Sequence, residues 1–141
     1  MNIPRIFTLD EAERTLPLLR RILADLTSEH ETWRAGMARY EVLAAVSRAD
    51  EGETEPLKGA RLVATASADR INCYLKEIEL IGSVFKGFET GLVDFYSLRE
   101  DRLVFLCWRL SEEHITHWHE VDAGFTGRQP IDPTTFSAVI P

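Results

Sequence analysis

Apolar residues recur through the first third of the chain in alternating steps of three and four: Leu9, Ala12, Leu16, Leu19, Leu23, Leu26, His30, Trp33, Met37, Tyr40 and Ala44. That rhythm is the stripe of a helix packing lengthwise against another helix. Thr8-Leu9-Asp10-Glu11 marks its start. The Thr8 hydroxyl accepts from the Glu11 amide while the Glu11 carboxylate reaches back, and two acids in the first turn suit the positive end of the helix dipole. The spacing predicts a helix over residues 8–47. Pro17 removes one backbone donor and crowds the carbonyl of Glu13. Because the stripe keeps its phase across it, a kink near residue 17 is expected rather than a separate element.

The polar stretch SRADEGETEPLKG, with Gly52 and Pro56, reads as a turn. A second stripe follows it, through Ala60, Ala64, Ser67, Ile71, Tyr74, Ile78, Ile81 and Phe85, predicting a helix over residues 58–86. Folding the chain back near Gly52 sets the stripes antiparallel, with Tyr40 against Ala64, Met37 against Ser67, Trp33 against Ile71, His30 against Tyr74 and Leu19 against Phe85. Large residues then face small ones, as close packing requires. His30 reads as a histidine hydrogen-bonded to Tyr74 or water, the sharper alternative being a ligand or switch within the pair of helices. Leu62, Val63, Leu80, Val84 and others widen the stripe beyond what two helices need, so the rest of the chain or a second copy must cover it.

After Gly87 the pattern changes to β-branched and aromatic runs, LVDFY and LVFLCW, separated by the polar SLREDR. These predict a hairpin. ITHWHEV follows a polar break at residues 111–114 and reads as a third strand, with a short helix capped by Ser111 as the alternative. The meander is placed over residues 91–121, with an irregular tail over 122–141. Alternation puts Val93, Phe95, Leu106, Trp108, His117, His119 and Val121 on one face, and Asp94, Phe105, Cys107, Thr116, Trp118 and Glu120 on the other. Both faces mix apolar and polar groups, so the pattern does not say which one lies on the helices. The fold class is α+β, mainly α, in one domain over residues 1–141: a long antiparallel helical hairpin packed with a small antiparallel β-meander.

Composition changes this picture little. At 141 residues, 45% hydrophobic and 28% charged, the chain can bury a core without staples. A net charge of −7, with Arg20-Arg21 the single adjacent basic pair, argues against nucleic acid. The longest apolar runs are far below the roughly 20 residues a bilayer needs. Cys73 and Cys107 lack a C-x-x-C spacing, and no secretory leader pattern precedes the first stripe, so both read as reduced thiols of a cytoplasmic protein.

The segment GLVDFYSLREDRLVFLCWRLSEEHITHWHEVDAGFTGRQPI resembles the signature block of a bacterial family known as domain of unknown function 2203, which runs GLVDFP, LCW, a GE step, WH and GF-x-GR. The opening FTLDEAERTLPLLR is similar to that family's start. The resemblance places the polar signature on Asp94, Cys107, Trp108, Glu112, Trp118, His119 and Arg128. Tyr96 stands where the family favours proline, and Ser111 where it favours glycine, which touches local backbone shape more than chemistry. The family carries no established activity, so the resemblance implies a fold and no reaction.

Three groups of residues carry candidate chemistry. His114, His117 and His119 with Glu112, Asp94 and Cys107 are of the ligand types that bind zinc or iron, and His117, His119 and Glu112 are the metal candidates. The plainer reading is a hydrogen-bonded sheet surface. Cys107 as a nucleophile with His119 as base and Glu112 orienting it needs mutual contact, which the predicted register denies. Gly124 to Gln129 allows backbone amides to converge on an anion with Arg128 as clamp, against a tight turn whose arginine pairs with Asp122 or Glu120. Taken together, Asp94, Glu112, His119 and Arg128 are the ligand-binding candidates. Two functions are therefore expected: a protein-interaction or self-associating module using the surplus apolar stripe, with a second copy or protein partner, or a small-ligand or divalent-metal site in the C-terminal block.

Overall fold

The computed structural model describes residues 4–48 and 50–140. Helix α1 spans Leu9–Val46 and α2 spans Glu55–Ile81. Five strands follow: β1 Val84–Gly87, β2 Leu92–Arg99, β3 Arg102–Arg109, β4 His117–Glu120 and β5 Gln129–Pro130. They form one sheet in chain order, every neighbour antiparallel. The architecture is α+β, mainly α, a helical hairpin with a β-meander.

The capping box closes α1 as its sequence dictates. Thr8 Oγ1 accepts from the Glu11 amide at 3.0 Å, and the Glu11 carboxylate accepts from the Thr8 amide at 2.9 Å. The helix continues without interruption through Pro17, which is exposed. Its 38 residues make a rod of about 57 Å at 1.5 Å per residue.

Helix α2 is displaced from the predicted 58–86. It starts earlier because Thr54 caps it, accepting from the Leu57 amide at 3.3 Å, with Pro56 in the first turn where its missing N–H costs nothing. It ends earlier because Gly82 adopts a left-handed conformation with φ 101°. A Cβ at Gly82 would sit 2.8 Å from the Arg5 side chain, so the position suits glycine on two grounds. Val84 and Phe85 therefore belong to β1, and Phe85 pairs with Val93 in the sheet instead of facing Leu19 from a helix.

The hairpin is antiparallel, but its register is shifted by about a turn from the predicted one. Gly36 lies against Ala64, the position assigned to Tyr40, and Glu29 pairs with Arg70 at 2.8 Å. Trp33 and Ile71 still border one cleft. In the distal half the buried line has also rotated: Gly36 is buried and Ala44 is exposed. A straight helix drifts by about 20° per heptad against a strict seven-residue repeat, which carries the contact line off the predicted stripe. His30 stacks on Phe88, ring centroids 4.0 Å apart, in place of the expected Tyr74 contact.

One face of the sheet lies on the helices. Val93, Phe95, Leu106, Trp108 and Trp118 pack with Leu16, Leu19, Leu23, Leu26 and Ile78 in the core. The β2–β3 turn is Glu100-Asp101, both with positive φ, 50° and 64°. This is the geometry of a two-residue hairpin turn, and it makes both strands longer than their apolar runs. The predicted face assignment of β4 is off by one residue. Leu106 pairs with Trp118, Phe105 with His119 and Cys107 with His117, so both histidines share the face of Asp94 and Cys107. Because side chains alternate with period two, a one-residue slip exchanges an entire strand's faces. No helix among the described residues is long and apolar enough to cross a membrane.

Candidate functional site

The sheet face turned away from the helices carries the polar chemistry. Asp94 on β2 pairs with Cys107 on β3, and His119 on β4 pairs with Phe105 one step along. The imidazole reaches diagonally past the small Cys107 side chain, bringing Nε2 to 3.0 Å from Asp94 Oδ2. All three residues are buried, with exposures of 1% for Asp94, 0% for Cys107 and 2% for His119. Phe105 flanks the imidazole at 5.4 Å, Tyr96 lies against Phe105 at 4.5 Å, and the Lys86 ammonium stands 4.9 Å over the Phe105 ring.

The hydrogen bonds fix where protons sit. His119 Nδ1 is 2.7 Å from the Glu120 carbonyl oxygen. A carbonyl only accepts, so Nδ1 carries a proton and donates it. Nε2 then meets a carboxylate oxygen, and that contact needs a further proton or another cation between two acceptors. Burial raises the Asp94 carboxyl above its ordinary value, against the pull of His119. Burial, then the Asp94 charge, pushes the Cys107 thiol up to about 12, with Arg128 opposing. A thiol held in that state is a poor nucleophile. Contact between Cys107 and His119 therefore exists, against expectation, but the environment does not activate the sulfur. Asp94 Oδ1 is buried and completes no hydrogen bond.

A second cluster lies at the end of β3. Arg128 Nη2 donates to both carboxylate oxygens of Glu112, at 2.7 and 3.0 Å, and to the Cys107 carbonyl at 3.3 Å. The Glu112 carboxylate also accepts from the Arg109 amide at 3.0 Å. The Glu112 carbonyl accepts from Trp108 Nε1 at 2.9 Å and from Arg20 of α1 at 3.1 Å. Phe125 lies under the guanidinium groups of Arg128 and Arg109, at 4.7 and 5.5 Å. Residues 124–128 thus form a tight turn, Phe125–Gly127 being a single 3-10 turn, and its arginine points inward. The partner of Arg128 is Glu112 in place of the expected Asp122 or Glu120. Glu120 instead binds Arg102, at 2.6 Å.

The four ligand-binding candidates accordingly come together as two pairs, Asp94 with His119 and Glu112 with Arg128. The pairs meet only through Cys107, whose side chain joins one and whose carbonyl joins the other. Of the metal candidates, Glu112 is committed to Arg128, and His117 turns to the Thr116 hydroxyl at 2.8 Å. His114 leans on Glu13 of α1 at 3.2 Å, so the three histidines do not converge. Five surface clefts open elsewhere, and none of the five has Asp94, Cys107, Glu112, His119 or Arg128 in its wall. Sequence reasoning missed the Asp94–Cys107–His119 convergence, and a signal for it was present. Each of Asp94 and Cys107 sits between two large apolar residues that claim the core face, while Trp118 sits between two histidines. Side-chain size alone puts all the polar members on the outer face.

Of the residues expected from the signature, Asp94, Cys107, Trp108, Glu112, His119 and Arg128 build the two clusters, and Trp118 lies in the core. Positive φ outside glycine occurs, among the described residues, at Glu100 and Asp101 alone, so Ser111 occupies its turn without the freedom of glycine. No curated protein and no solved structure shows significant similarity to the chain. The family profile described as Uncharacterized conserved protein (DUF2203) matches residues 5–131, which include every residue of the two clusters, and the chain belongs to that family.

Proposed function

We propose that the chain acts as a self-associating module, in which the distal half of the helical hairpin packs against the same surface of a second copy. The observation that carries this is a largely apolar groove along one side of the hairpin, bordered by Trp33, Met37 and Tyr40 of α1 and by Arg61, Ala64, Thr65, Ala68 and Asp69 of α2. Beyond Leu26, Gly36 is the one buried residue of α1; Phe88 stacks on His30, and farther out the rod lies against α2. The groove carries protruding side chains on the α1 wall and, between Arg61 and Asp69, small ones on the α2 wall. A face with both is self-complementary about a two-fold axis, where each copy's large residues enter the other's hollow. Oligomeric state decides the matter. Sedimentation velocity over a concentration series is expected to show a reversible dimer that Met37→Glu converts to a monomer with an unchanged helical spectrum. A wild-type chain that stays strictly monomeric, or a dimer indifferent to Met37→Glu and Tyr40→Glu, removes the reading.

A further inference from the structure

We propose that Asp94, Cys107 and His119 form a binding site for a divalent transition metal of zinc's coordination chemistry, ligated by a carboxylate oxygen, the sulfur and Nε2. One ligand atom from each of the three lies within 4.8 Å of the other two. Tetrahedral ligands at the usual metal–nitrogen, –oxygen and –sulfur lengths of about 2.0–2.3 Å stand about 3.3–3.8 Å apart. Small side-chain rotations span the difference. The three residues come from neighbouring strands of one ladder, so hydrogen-bonded backbone fixes their spacing.

Two details favour a metal over a shared proton. His119 Nδ1 is engaged by the Glu120 carbonyl, the outer contact that holds a ligating imidazole in the right tautomer and aims Nε2 at the ion. A proton between Nε2 and Asp94 Oδ2 would satisfy that single contact. It would leave the buried Asp94 carboxylate with only the weak S–H donor of Cys107 besides His119, and Oδ1 without a well-formed hydrogen bond. A dication also balances one carboxylate and one thiolate around a neutral imidazole, which makes the buried cluster neutral as a whole. The mixed nitrogen, oxygen and sulfur donor set suits zinc or cobalt better than calcium or magnesium, which take oxygen ligands. Three protein ligands are the number found where zinc keeps a fourth, exchangeable position.

The test uses the full chain without a histidine tag, stripped by chelator and titrated with cobalt(II) and zinc(II). One equivalent of cobalt is expected to bind with the intense visible bands of a four-coordinate ion and a thiolate charge-transfer band, and zinc is expected to bleach both. Cys107→Ser is expected to abolish the charge-transfer band and to weaken binding at least tenfold. Asp94→Asn keeps a hydrogen bond to Nε2 through its amide, so it is expected to fold and to lose stoichiometric metal, while His117→Gln retains it. Less than a tenth of an equivalent bound, or stoichiometric binding without a thiolate band, overturns the site. Binding that survives both Cys107→Ser and Asp94→Asn overturns it equally.

Discussion

Replacing Arg128 by alanine removes three hydrogen bonds from the second cluster, two to the Glu112 carboxylate and one to the Cys107 carbonyl. The pair is enclosed, with 11% of the arginine side chain and 16% of the glutamate side chain exposed. Breaking a buried pair from one side costs about 3–5 kcal/mol, because the remaining charge is left in low dielectric. Glu112 keeps the Arg109 amide at 3.0 Å and the Arg109 guanidinium at 3.9 Å, which places the loss at the lower end. Taking about 3 kcal/mol and an unfolding entropy of about 0.3 kcal/mol per kelvin for a chain this long, Tm falls by about 10 °C. Urea unfolding followed by tryptophan emission is a suitable assay, since the Trp108 indole donates to the Glu112 carbonyl and reports on the same turn. Glu112→Ala is expected to cost a similar amount, and the double variant less than the sum, with a coupling of about 2 kcal/mol. A loss of less than about 1 kcal/mol for Arg128→Ala is what an exposed ion pair gives, and it would refute the clamp.

Two further outcomes follow from the packing. Gly36→Ala adds a methyl that meets Ala64 atoms at 3.7 Å, an ordinary contact, so the gain in helix propensity should stabilise the chain by about 1 kcal/mol; a destabilised variant in urea melts would show that the helices approach more closely than described. With a disulfide reagent under native conditions near neutral pH, exposed Cys73 should react quickly. Buried Cys107, its thiol pushed up to about 12, should react only on unfolding, and two equally fast thiols would contradict its burial.

Local signals in the sequence determined the elements whose causes are themselves local. Thr8 and Glu11 sit within one turn of each other, so the start of α1 is legible from four residues. The repeat of apolar positions made two rods and their antiparallel pairing legible, and the β-branched runs made the β2–β3 hairpin legible. The end of α2 was also written locally, in Gly82 followed by Val84 and Phe85, but the helical stripe ran through it and concealed it. Tertiary structure decided what depends on distance. Hairpin register was open because a shift of one turn keeps apolar residues facing apolar residues, and only the close approach of Gly36 to Ala64 selects among the options. The register of β4 was open because residues 110–116 leave its phase free until Trp118 finds the core beside Leu106. That choice carries His119 to Asp94 and Cys107, and the turn at residues 124–128 carries Arg128 to Glu112. Periodicity records which face of an element avoids water, whereas a polar cluster drawn from three strands exists only once the strands are paired.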